Sequence, residues 1–521
     1  MKTFDVVSPM TGLKVASYPL MDAKDVDAAV AVARGKLAAW SSTVVKDRAK
    51  ILARAADILA NNALYYAERV SDENGKTRFD ALMADVYPSC DIMHYYAQNA
   101  ARFLAPVRVK GNPMLPGRRM YYVFEPRGVV AVISPWNYPF GLCVGPVISA
   151  VAAGNTVVLK PSSQTTTSGM MVKRILEKAG LPEGVVNVVT GNGSITGEAL
   201  IESPGIDMFF FTGSTEIGRR VNIKAAERLV PAIMELGGKD VAIVTKNADL
   251  DKAANAISWG AFTNCGQTCI GMEICLVERP VYTAFVDKLM TIMKDIKSGT
   301  GAGEVGSMTM ESQYKVVQGQ AEDAVSKGAK LLPEGVFDCK LDGMCYPPVV
   351  LTEVREDMRV MQEETFGPLL PVMPYDSIDD AIRIANSTNY GLSGAVFTKD
   401  MEEGRRIAGR IRTGSVNIND ALITYAVPGL PFGGVKESGV GCYHSEIGIR
   451  AFANIKSITE CKDGSKKEFF QYPAMEGAEQ GLLDALRFMY TQDTSQKLKA
   501  LFKVMPFLMK MRSEGKKRIG S

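Results

Sequence analysis

Apolar residues recur every three or four positions over 25–40, 45–67 and 78–104, with Ala-rich filling, and predict three long helices at the start of the chain. A Pro/Gly-punctuated stretch, 105–119, then leads into a β-branched and aromatic run at 121–124. From Gly128 the texture changes. Short apolar runs at 128–134, 155–160, 185–189 and 207–211 read as strands, separated by helical spacing at 141–153, 165–179, 195–201 and 215–226. That alternation predicts a doubly wound parallel sheet. A second series over 240–419, with strands near 240–245, 274–278, 370–373 and 394–398, predicts another. The expected fold class is therefore α/β, two doubly wound domains with a cleft between them. Two further helical stretches, 478–490 and 495–511, lie in the last 58 residues.

Composition narrows the function classes. A chain of 521 residues suggests two or three domains. The net charge of +3 leaves no basic footprint for nucleic acid. No apolar stretch reaches 18 residues, so no transmembrane helix is expected, and residues 1–7 do not read as a secretion signal. Nine cysteines, an odd number without a CxxC pair, predict a reduced, cytoplasmic setting. With only His94 and His444 available, a metal site built on several imidazoles is excluded. A Ser-His-Asp or Cys-His hydrolase would have to use one of these two, and neither sits in a motif. The chemistry is expected to run on carboxylates, a thiol or a cofactor.

Three places carry that chemistry. In Phe262-Thr-Asn-Cys-Gly-Gln-Thr-Cys269-Ile270 a Gly-Gln turn precedes a cysteine after a helical run, which can present a thiol into a cleft beside backbone N–H groups. A free cysteine is as readily a small buried hydrophobe, and spacing alone does not decide. Glu235, in Glu235-Leu-Gly-Gly-Lys239, follows an apolar run; a desolvated carboxylate there serves as a general base, although an ion pair with Lys239 is equally open. Asn137, in Ser134-Pro-Trp-Asn-Tyr-Pro139, offers two N–H donors at the carboxyl end of a strand, where wound sheets bind ligands. It can also be a plain turn. For phosphate, Phe211-Thr-Gly213-Ser214-Thr215 and Gly191-Asn-Gly193-Ser-Ile-Thr-Gly197 each join a β-rich run to a helix start. A literal G-x-G-x-x-G at 301–306 follows a helical stretch instead of a strand and is set aside as a surface loop.

Taken in order, Pro135-Trp-Asn-Tyr-Pro139, Leu159-Lys-Pro161, Phe211-Thr-Gly-Ser-Thr215, Glu235-Leu-Gly-Gly-Lys239, Gly266-Gln-Thr-Cys269, Glu364-Thr-Phe-Gly-Pro368 and Pro431-Phe-Gly-Gly434 resemble the aldehyde dehydrogenase superfamily. The resemblance covers about residues 5 to 463. It implies that Cys269 attacks the aldehyde, that Asn137 and the Cys269 N–H hold the oxyanion, and that Glu235 activates the hydrolytic water. It also implies a nicotinamide cofactor, NAD or NADP, held by Ser134, Trp136, Lys160, Ser163, Gly193, Gly197, Phe211, Gly213, Ser214, Gly237, Glu364 and Phe366. No metal is expected.

Departures from the family pattern refine this picture. Relatives that pass the acyl group to coenzyme A lack a glutamate at the Glu235 position, so water is the expected acceptor. Where NAD-preferring relatives often carry Glu, this chain has Ser163, which removes a repulsion; NADP should be accepted, with preference between it and NAD left open. The helix after Asn137 lacks the Arg of semialdehyde enzymes. Tyr138, Gly141, Gly145, Thr268, Ile270 and Phe432 are expected to line a wide, apolar substrate funnel, favouring an uncharged hydrophobic aldehyde over a semialdehyde. The resemblance implies a cofactor domain (1–103 and 127–238), a catalytic domain (239–453) and an oligomerisation arm (104–126 and 454–463), with a helical extension (464–521). A homodimer or homotetramer follows. From Lys497 onward eight Lys/Arg face one acid, Glu514, which admits contact with an anionic membrane surface, or else packing on protein with the charges solvated.

Overall fold

The computed structural model describes residues 2–111, 114–115, 117–301, 304–334, 344–461 and 468–514, with side chains through Met511. The expected α/β architecture is present. A six-stranded sheet runs in the order Gly439–Val440, Ala232–Glu235, Met208–Thr212, Val129–Ile133, Thr156–Lys160, Val186–Val188, parallel apart from its first strand. A seven-stranded sheet has the order Lys330–Leu332, Val349–Thr352, Leu369–Tyr375, Met272–Glu278, Asp240–Val244, Gly394–Phe397, Asn417–Ile418, with only Lys330–Leu332 antiparallel.

Near-continuous apolar strands are what a sheet covered on both faces requires. The period of two is visible in the packing. Phe210, Val130 and Val132 enter one buried cluster, whereas Phe209, Phe211, Val129 and Ala131 enter the other. The helix Gly141–Ala153 is buried along its whole length and stops at Gly154, whose φ of 96° suits glycine.

Some expected elements differ. The run 45–67 is two helices, Val45–Asn61 and Ala63–Asn74, because the Asn62 side chain donates to the Ile58 carbonyl (2.8 Å) and competes with the backbone ladder. Between Arg78 and Phe103 the helix widens to one π turn, Leu82–Val86, just ahead of Pro88, which has no N–H to donate. An N-terminal hairpin, Thr3–Val7 with Lys14–Pro19, was not expected from the pattern.

The chain divides into two compact units, 1–105 with 124–454, and 106–123 with 455–521. Both sheets above belong to the first. The second holds most of a three-stranded sheet ordered Ala453–Cys461, Arg118–Pro126, Val107–Val109. It also contains the helices Ala478–Tyr490 and Thr494–Glu514, the latter continuing through Pro506. These two pack through Ala485, Val504 and Phe507, where Gly481 leaves room for the Phe507 ring. Parts of the expected arm and extension, 462–467 and 515–521, and of the G-x-G-x-x-G string, 302–303, lie outside the described residues.

Candidate active site

The helix Leu250–Phe262 ends in the turn Thr263–Gly266, where Asn264 (φ 53°), Cys265 (φ 56°) and Gly266 (φ 68°) all take left-handed backbone. For Cys265 that conformation is strained, and strain of this kind persists only where the surroundings enforce it. They do so here. The Asn264 amide donates to the Asn137 carbonyl (2.9 Å) and the Gln267 carbonyl (3.1 Å), while Gln267 Nε2 returns a bond to the Asn264 carbonyl (2.9 Å). A side chain on Gly266 would collide with the Gly367 backbone. This turn delivers Cys269 to the cleft. Burial, with Asp240, Glu364 and Glu235 nearby, pushes its thiol pKa up, and the Ile270 N–H acts in the opposite direction.

Asn137 is held from several sides. Its carbonyl also accepts from Lys76 Nζ at 2.8 Å, and its side-chain amide donates to the Gln267 carbonyl at 3.1 Å. An amide has two N–H donors, so that bond leaves one for a ligand. Lys76 is buried, paired with Asp85 at 2.6 Å and 3.9 Å from the Tyr138 ring centre. Asp85 in turn accepts the N–H groups of Phe140 (3.1 Å) and Gly141 (2.9 Å). Glu235 ends the strand Ala232–Glu235; both of its carboxylate oxygens are buried without a protein partner, and burial raises its pKa well above 4.5. The ion pair with Lys239 that the sequence left open does not form, because Lys239 Nζ binds Glu273 (2.8 Å) and Thr365 (2.9 Å). Behind Glu235, a Cβ on Gly238 would collide with the Cys269 carbonyl, so glycine lets the two segments meet.

Two cavities suit an extended dinucleotide. One, of about 200 Å³, is bordered by Trp136, Asn137, Gly213, Ser214, Gly237, Glu364, Phe366 and Cys269. Phe366, at φ 50°, meets Trp136 edge-on with ring centres 5.5 Å apart. Its loop is pinned by Glu273, which accepts the Phe366 N–H at 2.8 Å. Burial beside Glu273 pushes the Glu364 carboxyl up to about 8, although it accepts the Gly238 N–H at 2.9 Å. The other, of about 440 Å³, is bordered by Lys160, Gly193, Gly197 and Phe211. Burial lowers Lys160 to about 8, and its ammonium contacts the Pro161 carbonyl at 3.2 Å. Nothing lies within 4 Å of where a Gly193 Cβ would sit. Ser214 begins the helix Thr215–Glu227 and makes no side-chain cap bond, leaving first-turn N–H groups for an anion. These features fit a nicotinamide dinucleotide. The Ser134 hydroxyl donates to the Leu142 carbonyl (3.0 Å), and Ser163, in the turn Ser163–Thr165, donates to Gln164 (3.1 Å).

A third cavity also reaches Cys269 and is lined by Tyr138, Thr268, Ile270, Met83, Trp259 and Ile423 among others. The Tyr138 and Thr268 hydroxyls are hydrogen-bonded at 2.6 Å. Gly141 and Gly145 border instead a much smaller cavity with His444 and Tyr425. Phe432 is buried against Tyr425, Tyr443 and His444, and does not line the funnel.

The sequence profile of the aldehyde dehydrogenase family matches residues 1–458. The chain belongs to this family. It is an NAD(P)-dependent aldehyde dehydrogenase, an oxidoreductase. One relative, the 4,4'-diapolycopene aldehyde oxidase of a Methylomonas species, is 36% identical over 496 residues, 95% of this chain and 92% of that protein. A Mycobacterium ulcerans relative, whose name carries a provisional NADP(+) succinate-semialdehyde dehydrogenase assignment, is 36% identical over 88% of this chain and 89% of its own. Among solved structures, a Brucella melitensis aldehyde dehydrogenase superposes with a TM-score of 0.85 at 32% identity, over 89% of this chain and 94% of that one. A Mycobacterium tuberculosis aldehyde dehydrogenase complexed with NAD+ gives 0.82 at 35% identity, over 88% and 94%.

Several residues of this aldehyde dehydrogenase's cleft escaped sequence reasoning. Asp85 sits in the helical run 78–104 at a position whose spacing marks it as polar, and Lys76 lies in the link between Asn74 and Arg78, outside any periodic run, although both side chains are fully buried. Asp80, Met83, Trp259 and Tyr425 come to the funnel from three separate segments, and no local pattern joins them.

Proposed function

We propose that this aldehyde dehydrogenase oxidises an uncharged, hydrophobic aldehyde to its carboxylic acid, with water as acyl acceptor. One observation carries the reading: Cys269 borders both the apolar funnel and the cavity that fits the nicotinamide end of the cofactor. Once the Cys269 thiol has given up its proton to water, its sulfur attacks the carbonyl carbon from the funnel side, and the oxyanion that forms takes hydrogen bonds from the free Asn137 Nδ2–H and the Cys269 N–H. When bound, the nicotinamide supplies the hydride acceptor that converts this adduct to a thioester. Glu235, its carboxylate buried without a protein partner, takes a proton from the water that attacks the thioester. The acid leaves and the sulfur is freed. Trp136, Gly213, Ser214 and Gly237 would hold the pyrophosphate and nicotinamide side, Glu364 the adjoining ribose with Phe366 packed near it, and Lys160, Gly193, Gly197 and Phe211 the adenosine side. Ser163, with no carboxylate to repel a 2′-phosphate, admits NADP as well as NAD.

The substrate reading rests on the funnel wall. Among the described residues that line it none is Lys or Arg, and the one carboxylate there, Asp80, would repel the second carboxylate of a semialdehyde. The relative named for a 4,4'-diapolycopene aldehyde agrees with an apolar substrate, while those named for succinate semialdehyde supply the second reading. A CoA-acylating enzyme remains the third, opposed by Glu235. The proposed division is a cofactor domain of 1–103 and 127–238, a catalytic domain of 239–453 and a β arm of 104–126 and 454–463 that joins subunits into a homodimer or homotetramer.

The test follows NADH and NADPH absorbance with linear, aromatic and carboxylated aldehydes, with and without CoA. Apolar aldehydes should be turned over best, without CoA, and Cys269→Ala should be inactive. Equal activity of wild type and Cys269→Ala would sink the mechanism; preference for succinic semialdehyde, or a requirement for CoA, would overturn the substrate or acceptor.

A further inference from the structure

The helix Thr494–Glu514 buries one side and leaves the other bare. Ala500, Val504 and Phe507 are at most 8% exposed. On the opposite side Leu498, Phe502, Met505 and Met509 are 57%, 71%, 44% and 58% exposed. Their spacing of four, three and four residues places them in one stripe along the helix. At 100° per residue, Lys499 and Lys503 fall to one side of that stripe and Lys497 to the other, while Lys510 is held by Glu476, donating to its carbonyl at 3.1 Å. The paired helix Ala478–Tyr490 also exposes Leu482, Leu486 and Tyr490, at 40%, 43% and 69%. An apolar stripe this exposed is costly in water, and lysines along its margins can extend their stems beside it while their ammonium groups reach lipid phosphates.

We propose that the exposed face of Thr494–Glu514 is a docking surface for an anionic lipid bilayer, on which the helix lies in the interfacial plane. The charge pattern selects this occupant. Lysines bordering an apolar stripe match anionic headgroups around a shallow acyl layer, and an interface between copies of this chain would bring those same lysines together. No helix among the described residues is long and apolar enough to cross a membrane, so the contact is peripheral. The inference does not depend on the substrate proposed above.

Flotation of the full-length enzyme with vesicles tests it, using phosphatidylcholine alone or with about one third phosphatidylglycerol. Wild type should float with the anionic vesicles only, and 0.5 M NaCl should weaken binding by about tenfold or more. Phe502→Glu/Met509→Glu and, separately, Lys499→Glu/Lys503→Glu should each lower binding by at least about tenfold. Both should keep aldehyde oxidation at the wild-type level, because these side chains are exposed and remote in sequence from the catalytic groups. Absence of wild-type protein from the anionic vesicles would overturn the proposal, as would undiminished binding by both variants. So would a finding, by light scattering, that Phe502→Glu/Met509→Glu splits an oligomer while wild type ignores vesicles; that face would then be a subunit contact.

Discussion

At the scale of single residues, Glu235 poses the sharpest trade-off. Its carboxyl is buried with no partner, so its pKa lies above 4.5 in the folded protein and near that value in the unfolded chain. Below pH 4.5 both states hold the proton and the residue leaves stability unchanged. As pH rises, the unfolded chain ionises first and stability is lost until the folded pKa is reached. Glu235→Gln should therefore melt higher than wild type at pH 7 by scanning calorimetry, with the gap closing toward pH 4. The same variant should form a thioester in a single burst and release acid slowly, as a pre-steady-state NADH trace would record. Lys76 gives a second prediction. Removing its ammonium leaves Asp85 buried and uncompensated and loosens the carbonyl of Asn137. Lys76→Met should cost about 3 kcal/mol or more in urea unfolding and lower kcat more than it raises KM.

At the scale of elements, the turn Thr263–Gly266 shows what a local pattern can convey. The Gly-Gln pair before Cys269 is visible in the sequence, and it signals a turn. That three successive residues are left-handed, and that Gly266 lies directly on Gly367, is a consequence of a segment a hundred residues away. Gly266→Ala is expected to strain the backbone and push that contact apart, lowering kcat at least about tenfold while circular dichroism stays close to wild type. Four strands of the first sheet were legible because each buries both faces and announces itself by an apolar run, whereas Ala232–Glu235 and Gly439–Val440 were not read as strands. The break at Asn62 and the π turn before Pro88 were not, since apolar spacing continues across both. Phe432 illustrates the converse: its motif is recognisable, but packing turns its ring toward Tyr425 and Tyr443, behind the funnel.

At the scale of the whole molecule, the arrangement is a thiol at the junction of an apolar funnel and a polar cofactor cleft. The funnel should translate chain length into binding energy. About 0.8 kcal/mol per buried methylene corresponds to roughly a fourfold rise in kcat/KM for each carbon added to a linear aldehyde, until the funnel is filled. A series from propanal to decanal measures this, and Trp259→Arg should shift preference toward carboxylated aldehydes by placing a cation at the funnel wall. The sequence by itself determined the wound α/β architecture, the family and the candidates Cys269, Glu235 and Asn137, because hydrophobic periodicity and short motifs are local properties of the chain. Tertiary structure alone decided that Glu235 is unpaired, that Lys76 and Asp85 stand behind Asn137, and that Gly141 and Gly145 open a side cavity with His444. Those relations join segments far apart in the chain, and which of them meet depends on how two sheets and their helices pack.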